Sequence, residues 1–187
     1  MHVVNLLRRS LTLAIAIGGF TAQMSQAVQL RDGKIYFVQP PSLIAATTTY
    51  KEVNAWGATY YFTINLPENA GESLQKVTIT QREGVENIHY NLKDTRAFGE
   101  TRDRKKIPLT LGPVTRESKT RSVSVTFDPP VTPGQKITIG LRPIKNPSFS
   151  GVYLLGVTAF PVGEKSHGQF IGFGRLHFYG YGRYWFP

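Results

Sequence analysis

The chain has 187 residues, no cysteine, and 22 basic against 12 acidic side chains for a formal charge of +10, so a disulfide framework, a thiolate metal site and a lipid-modified cysteine are excluded. Its length suits one domain with a sizeable core and leaves no room for two. The basic excess points to anionic partners or serves solubility alone.

Residues 1–27 have the layout of an export signal. Arg8 and Arg9 precede an apolar run over 11–20, and Ser25-Gln26-Ala27 supplies the small-x-small pattern that a signal peptidase cleaves. The run is too short to span a bilayer. The expected mature protein, 28–187, is therefore soluble, exported to the periplasm, extracellular space or thylakoid lumen, and not membrane-spanning. Cleavage removes two of the 22 basic residues and no acid, leaving 20 against 12 and a net +8. Outside the cytoplasm the expected partners are acidic polysaccharide, lipid head groups or envelope proteins, with no nucleic acid. Arg8-Arg9 leaves a folded-export route open beside the unfolded one.

Period-two alternation runs through 28–179, and no segment carries a sustained helical stripe. In 58–66, Tyr60, Phe62, Ile64 and Leu66 share one face, and Thr59, Tyr61, Thr63 and Asn65 share the other. Val77 and Ile79 repeat the pattern, as do Val123, Val125 and Phe127, and then Ile137, Ile139 and Leu141. Shorter candidate strands are 35–39, 43–50, 88–92 and 107–111, the last weakened by Pro108. Residues 152–160 are apolar on both faces, as expected of a central strand covered above and below, where a charge at Leu154 or Val157 should prevent folding.

Turn chemistry separates these runs. Pro67-Glu68-Asn69-Ala70-Gly71, Asp128-Pro129-Pro130, Pro133-Gly134 and Asn146-Pro147 each read as a reversal or a stop. The expected fold is all-β: an immunoglobulin-like two-sheet antiparallel sandwich of about eight or nine strands over 28–179, with a barrel as the alternative closure.

The charged stretch 95–106 is expected to be mobile. It holds Arg102, Arg104, Lys105 and Lys106, and Arg116, Lys119 and Arg121 follow. Brought together, these form a candidate patch for anionic ligands; kept apart, they are a solvated surface. Asp94, Glu100 and Asp103 offer the alternative of an envelope hydrolase or carbohydrate-active enzyme working through paired carboxylates. Their interleaving with arginines and lysines also fits a salt-bridged loop. His89, His167 and His177 lack the spacing of a metal site, and Glu83-Gly84-Val85-Glu86-Asn87 lacks the alternating acids of a calcium loop. No Gly-x-Ser-x-Gly elbow is present. No catalytic residue, cofactor or metal is expected, and the chain reads as a non-enzymatic protein with a binding or assembly role.

Near the C-terminus, alternation places Phe170, Leu176 and Phe178 on one face, with Ile171, Phe173, Arg175, His177 and Tyr179 on the other. The tail 180–187 adds Tyr181, Arg183, Tyr184, Trp185 and Phe186. Together with Tyr179 these form a candidate interaction segment, packing on the domain itself or on a partner, self-association included.

Several linked phrases carry a resemblance: Trp56-Gly57-Ala58-Thr59-Tyr60-Tyr61-Phe62, Leu66-Pro67-Glu68-Asn69-Ala70-Gly71, Thr126-Phe127-Asp128-Pro129-Pro130, and the segments 151–161 and 168–179. On these the chain resembles the cyanobacterial exported family known as domain of unknown function 2808, over roughly residues 30–179. The resemblance implies a cyanobacterial periplasmic or secreted protein. It implies no activity and no site residues, and the tail extends past it.

Overall fold

The computed structural model describes residues 28–29, 33–100 and 105–180. The expected leader therefore lies outside the described residues. A short antiparallel pair, β1 (Val28–Gln29) and β2 (Ile35–Tyr36), precedes the body of the fold. That body is an immunoglobulin-like sandwich of two five-stranded antiparallel sheets. The first sheet orders β3 (Ser42–Thr48), β4 (Tyr60–Leu66), β10 (Gln135–Leu141), β6 (Arg96–Glu100) and β7 (Lys106–Pro108). The second orders β12 (Gln169–Phe178), β11 (Gly151–Pro161), β5 (Leu74–Glu83), β9 (Ser122–Val131) and β8 (Leu111–Glu117).

Alternation decides which faces meet. Tyr60, Phe62, Ile64 and Leu66 are fully buried, as are Ile137, Ile139 and Leu141, and they face Val77, Val125, Phe127 and Val157 of the other sheet. Each of these large side chains contributes roughly 1.5–3 kcal/mol by leaving water. On one side the sandwich is closed by β12 lying close against β3. Gly174 permits that approach, because a Cβ there would stand 2.6 Å from Ala46 Cβ and 3.0 Å from the Phe62 ring.

The structure corrects six expectations. The stretch 95–106 is not one loop: Ala97 and Gly99 turn inward, letting Arg96–Glu100 join the first sheet, while residues 101–104 lie outside the described residues. Residues 88–92 form no strand. Tyr90 makes only an isolated bridge to Pro143, and the chain then closes into a 3-10 turn over Leu92–Asp94. Residues 107–111 divide between β7 and β8, which belong to different sheets.

Asp128-Pro129-Pro130 does not end its strand. The register passes from Lys76 opposite Thr126 to Leu74 opposite Val131, so residues 127–130 face only Gln75, and the prolines sit in a bulge that needs no ladder donors. The side-chain amide of Gln75 donates there to the Phe127 carbonyl at 3.1 Å.

Strand β11 is not covered on both faces, nor is it central; β5 is. Tyr153, Leu155, Val157 and Ala159 are buried, but Val152 is 43% exposed and Leu154 lies between Arg175 and Glu83 on the outer face. In β12 a bulge opposite Val157 and Thr158 resets the alternation. Phe170 therefore points outward beside Phe173, their rings 4.8 Å apart, while Leu176 and Phe178 remain in the core.

Candidate ligand groove

The outer face of the first sheet is built from the residues that alternation turns away from the core, and the register aligns them in cross-strand rows. One row runs Tyr61, Gly140, Arg96; the next runs Thr63, Thr138, Phe98, Pro108; a third runs Asn65, Lys136, Glu100, Lys106. Strand β10 therefore supplies a low floor of Gly140 and Thr138, between the Tyr61 ring on one side and the Phe98 ring on the other. A Cβ at Gly140 would lie 3.2 Å from the Tyr61 ring, so the missing side chain is what lets that ring lean over the floor.

Three cavities follow one another along this face. One of about 520 Å³ is lined by Tyr61, Phe98, Lys106 and Lys136. A second of about 240 Å³ shares Tyr61 and Phe98 with it and adds Arg96 and Arg142. The third, about 740 Å³, shares Asp94 and Arg142 with the second and ends at Trp56, Lys93 and Ile144. The shared linings make one groove running along β10, whose seven residues alone span about 23 Å. Trp56, 71% exposed, stands at its mouth.

The charges of the groove are mostly positive. Lys136 pairs with Glu100 at 2.7 Å, and Arg142 approaches Asp94 at 3.7 Å while the Asn91 amide donates to the same carboxylate oxygen at 2.8 Å. Arg96 donates to the carbonyls of Lys93 and Thr95, which fixes its guanidinium without neutralising it. Lys93 and Lys106 have no carboxylate partner among the described residues. Five cations thus face two carboxylates along the groove. At its mouth the Tyr90 hydroxyl is buried without a hydrogen-bond partner, and burial pushes its pKa up against the opposing pull of Arg116.

The residues singled out from sequence are divided between the two ends of the sandwich. Lys106 lies in the groove, beside Glu100 and near Lys136 at the start of β10, and Lys105 precedes it. Arg116, on β8, instead donates at 2.8 Å to Nδ1 of His89, whose carbonyl accepts Ile144 N just past the other end of β10. Lys119 and Arg121 follow in the turn after β8, where Arg121 donates to the Asn87 side chain and the Arg82 carbonyl. The structure does not bring Lys106 together with Arg116, Lys119 and Arg121. Arg102 and Arg104 lie outside the described residues.

Asp94 and Glu100 stand at opposite ends of β6, on the order of 15 Å apart, beyond the spacing of a glycosidase pair. Asp103 lies outside the described residues. His167 rests on the Tyr36 ring at 4.8 Å and His177 is exposed on β12; among the described residues no three metal-ligating side chains gather. Tyr179 is 57% exposed, and its backbone N–H donates to Lys51 O while its carbonyl accepts from Val53 N. Tyr181, Arg183, Tyr184, Trp185 and Phe186 lie outside the described residues.

Sequence reasoning missed Trp56, Tyr61, Arg96, Phe98, Lys136 and Arg142. The available signal was an aromatic ring, Tyr61, on the otherwise small and polar outer face of its strand.

The family model described as "Protein of unknown function (DUF2808)" matches residues 34–178. No curated protein matches the chain. Similar solved structures include a group B streptococcus pilus 2b backbone protein, at 12% identity and TM-score 0.46 over 72% of this chain and 56% of that one. They also include the collagen-binding domain from a Staphylococcus aureus adhesin, at 8% and 0.40 over 72% and 93%. A third is the collagen-binding subdomain of the Enterococcus faecalis surface protein ACE, at 6% and 0.43 over 74% and 98%. The chain spans just over half the length of the pilus protein.

Proposed function

The chain belongs to the DUF2808 family of proteins of unknown function, and we propose that it is an exported, non-enzymatic binding domain whose groove takes an acidic polysaccharide. The observation that carries this reading is the row arrangement on the outer sheet face: rings of Tyr61 and Phe98 flank a floor of glycine and threonine, with cations outnumbering carboxylates along its length. A pyranose ring presents an apolar face that packs on an aromatic side chain, while its hydroxyls suit threonine and asparagine and its carboxylates or sulfates suit lysine and arginine. An open groove along the strand direction fits a linear polymer better than a small molecule, which needs enclosure.

The export that this reading requires rests on the leader pattern of residues 1–27. A cyanobacterial cell envelope is the setting implied by the resemblance given above. The hydrolase alternative has no support from Asp94 and Glu100, which are held apart and engaged with Arg142 and Lys136.

Affinity electrophoresis through gels containing a polyuronate or a neutral glucan tests the proposal. Retardation by the polyuronate alone, weakening with salt and lost in Tyr61→Ala, Phe98→Ala and Arg142→Glu, is expected. Equal mobility in both gels, or retardation unchanged in those variants, contradicts it.

A further inference from the structure

At the loop-bearing end of the sandwich, strand β12 runs on into Tyr179-Gly180-Tyr181-Gly182-Arg183-Tyr184-Trp185-Phe186-Pro187, whose last seven residues lie outside the described residues and hold four aromatic side chains. The start of this tail is fixed. Tyr179 N donates to Lys51 O at 2.8 Å and Val53 N donates to Tyr179 O at 3.0 Å, a parallel pairing centred on Glu52. Parallel pairing sends the chain past Val53 toward Asn54 and Ala55, not back along β12. At Gly180 the surroundings open: a Cβ there would meet no atom within 4 Å.

Reach selects the surface. Val53 neighbours Tyr179 and stands three positions before Trp56, so Trp56 lies within about 15 Å of the tail's origin. Asn54 N donates to Pro147 O at 3.0 Å and Asn146 N to Ala55 O at 2.8 Å, which holds the Trp56 loop against the loop 142–150. An extended chain from Tyr179 to Trp185 spans up to about 20 Å, enough to bring Tyr184, Trp185 and Phe186 over Trp56 and its surroundings. The exposed ring pair Phe170 and Phe173 sits about 20 to 30 Å back up β12. That pair is out of range for a chain that has left in the opposite direction.

The surroundings of Trp56 suit those rings. The cavity of about 740 Å³ at the groove mouth has apolar walls of Trp56, Leu92, Pro143 and Ile144, and both Trp56 and Ile144 are more than half exposed. Lys93 and Arg142 line the same cavity and offer cations to aromatic faces. Arg183 brings a further positive charge to this wall, so the rings and not the charge must hold the tail there. A tethered segment also meets the cavity at an effective concentration in the millimolar range, an advantage no free partner has.

We propose that residues 181–187 fold back into this cavity, with Trp185 and its neighbours packed on Trp56 and Ile144, so that the tail closes the groove at its mouth. The docking follows from tether, reach and surface alone. Its consequence, competition with a polysaccharide for Trp56 and Arg142, rests on the glycan reading of the groove.

The test follows Trp185 as the single tryptophan of a Trp56→Phe protein, by acrylamide quenching of its emission. Blue-shifted emission is expected, with quenching that rises about threefold when Ile144→Glu is added and a melting temperature that does not change. Shielding of Trp185 should be independent of protein concentration and of salt, and unaltered by Phe170→Ser. In gels containing a polyuronate, deletion of 181–187 should raise the affinity about threefold. Equal quenching with and without Ile144→Glu, or shielding lost in Phe170→Ser, overturns the docking. Shielding that fades on dilution overturns it too, because the tail then covers a second copy of the chain. Deletion that leaves a measurable affinity unchanged overturns the closure of the groove. Absence of retardation in every variant removes the glycan reading, while the quenching of Trp185 still decides the docking.

Discussion

The hydroxyl of Tyr60 donates to Oδ1 of Asn146 at 2.8 Å across 86 positions of sequence, and both residues are fully buried. The Asn146 amide nitrogen in turn donates to the carbonyls of Tyr50 and Glu52, at 3.0 and 2.9 Å. One side chain therefore ties a core strand to two loops and fixes both the groove mouth and the loop-bearing end. Replacing it leaves the buried Tyr60 hydroxyl without its acceptor and takes a donor from the Tyr50 and Glu52 carbonyls, of which Tyr50 O still accepts from Thr48 Oγ1 at 2.9 Å. Asn146→Ala should cost about 3 kcal/mol, and Tyr60→Phe, which orphans only Oδ1, roughly 1.5 kcal/mol. Urea unfolding with an unchanged m-value measures both; a loss for Asn146→Ala no greater than for Tyr60→Phe contradicts the account.

The same region sets an alkaline limit to stability. Burial pushes the pKa of Tyr60, Tyr90 and Tyr153 up, and for Tyr153 the charge of Glu86 adds to the rise. Below the usual tyrosine value of about 10 both folded and unfolded chains keep these protons; above it the unfolded chain releases them and the folded one does not. The folded state then binds more protons, so stability falls as pH rises through this range. Tyrosinate absorbance should show exposed tyrosines titrating first and a second step that coincides with unfolding. A single step with the fold intact contradicts the burial argument.

Strand β11 offers a contrast between its two faces. Val157 is fully buried between Ile79 and Gly172, whereas Leu154 stands on the outer face between Arg175 and Glu83. Val157→Asp should cost about 4 kcal/mol or more and leave no cooperative melt. Leu154→Asp should fold, within about 1 kcal/mol of the parent. Thermal melting of the two variants separates the outcomes, and similar losses contradict the assigned faces.

Gly140 gives a test of the groove that bypasses its charges. A methyl at this position would stand 3.2 Å from the Tyr61 ring and 3.3 Å from the Thr59 methyl, so the ring must give way by a few tenths of an ångström. Gly140→Ala should reduce retardation by a polyuronate while leaving the melting temperature nearly unchanged, and full retention of binding would mean that the ring plays no part.

How far the fold was legible in the sequence depends on what each residue faces. Tyr60 to Leu66 and Ile137 to Leu141 could be read because one side of each strand meets a dry core and the other meets water, so composition alone reports the face. In 152–160 that signal failed. The outer residues there are apolar for local reasons, such as Phe160 lying 4.3 Å beneath the Lys76 ammonium. Phe170 was assigned to the wrong face because a bulge shifts the alternation by one residue, and a bulge depends on pairing that a single strand does not display.

The groove was hidden for a related reason. Tyr61, Phe98, Lys136 and Arg142 come from three strands and the end of one of them, and only the register places them on one face. Conversely, Lys106 and Arg116 are close in sequence but separated in space by the run of β8 along its sheet. Linear clustering of charge suggested a patch that the topology divides.

The central claim, that the face across β4, β10 and β6 binds an acidic polysaccharide, is tested most directly by titrating a short polyuronate into isotope-labelled protein and following backbone amide resonances. Saturable shifts centred on Tyr61, Phe98, Thr138 and Gly140 are predicted, absent with a neutral glucan. Shifts confined to Arg116 through Arg121, or spread evenly over every exposed cation, would contradict it.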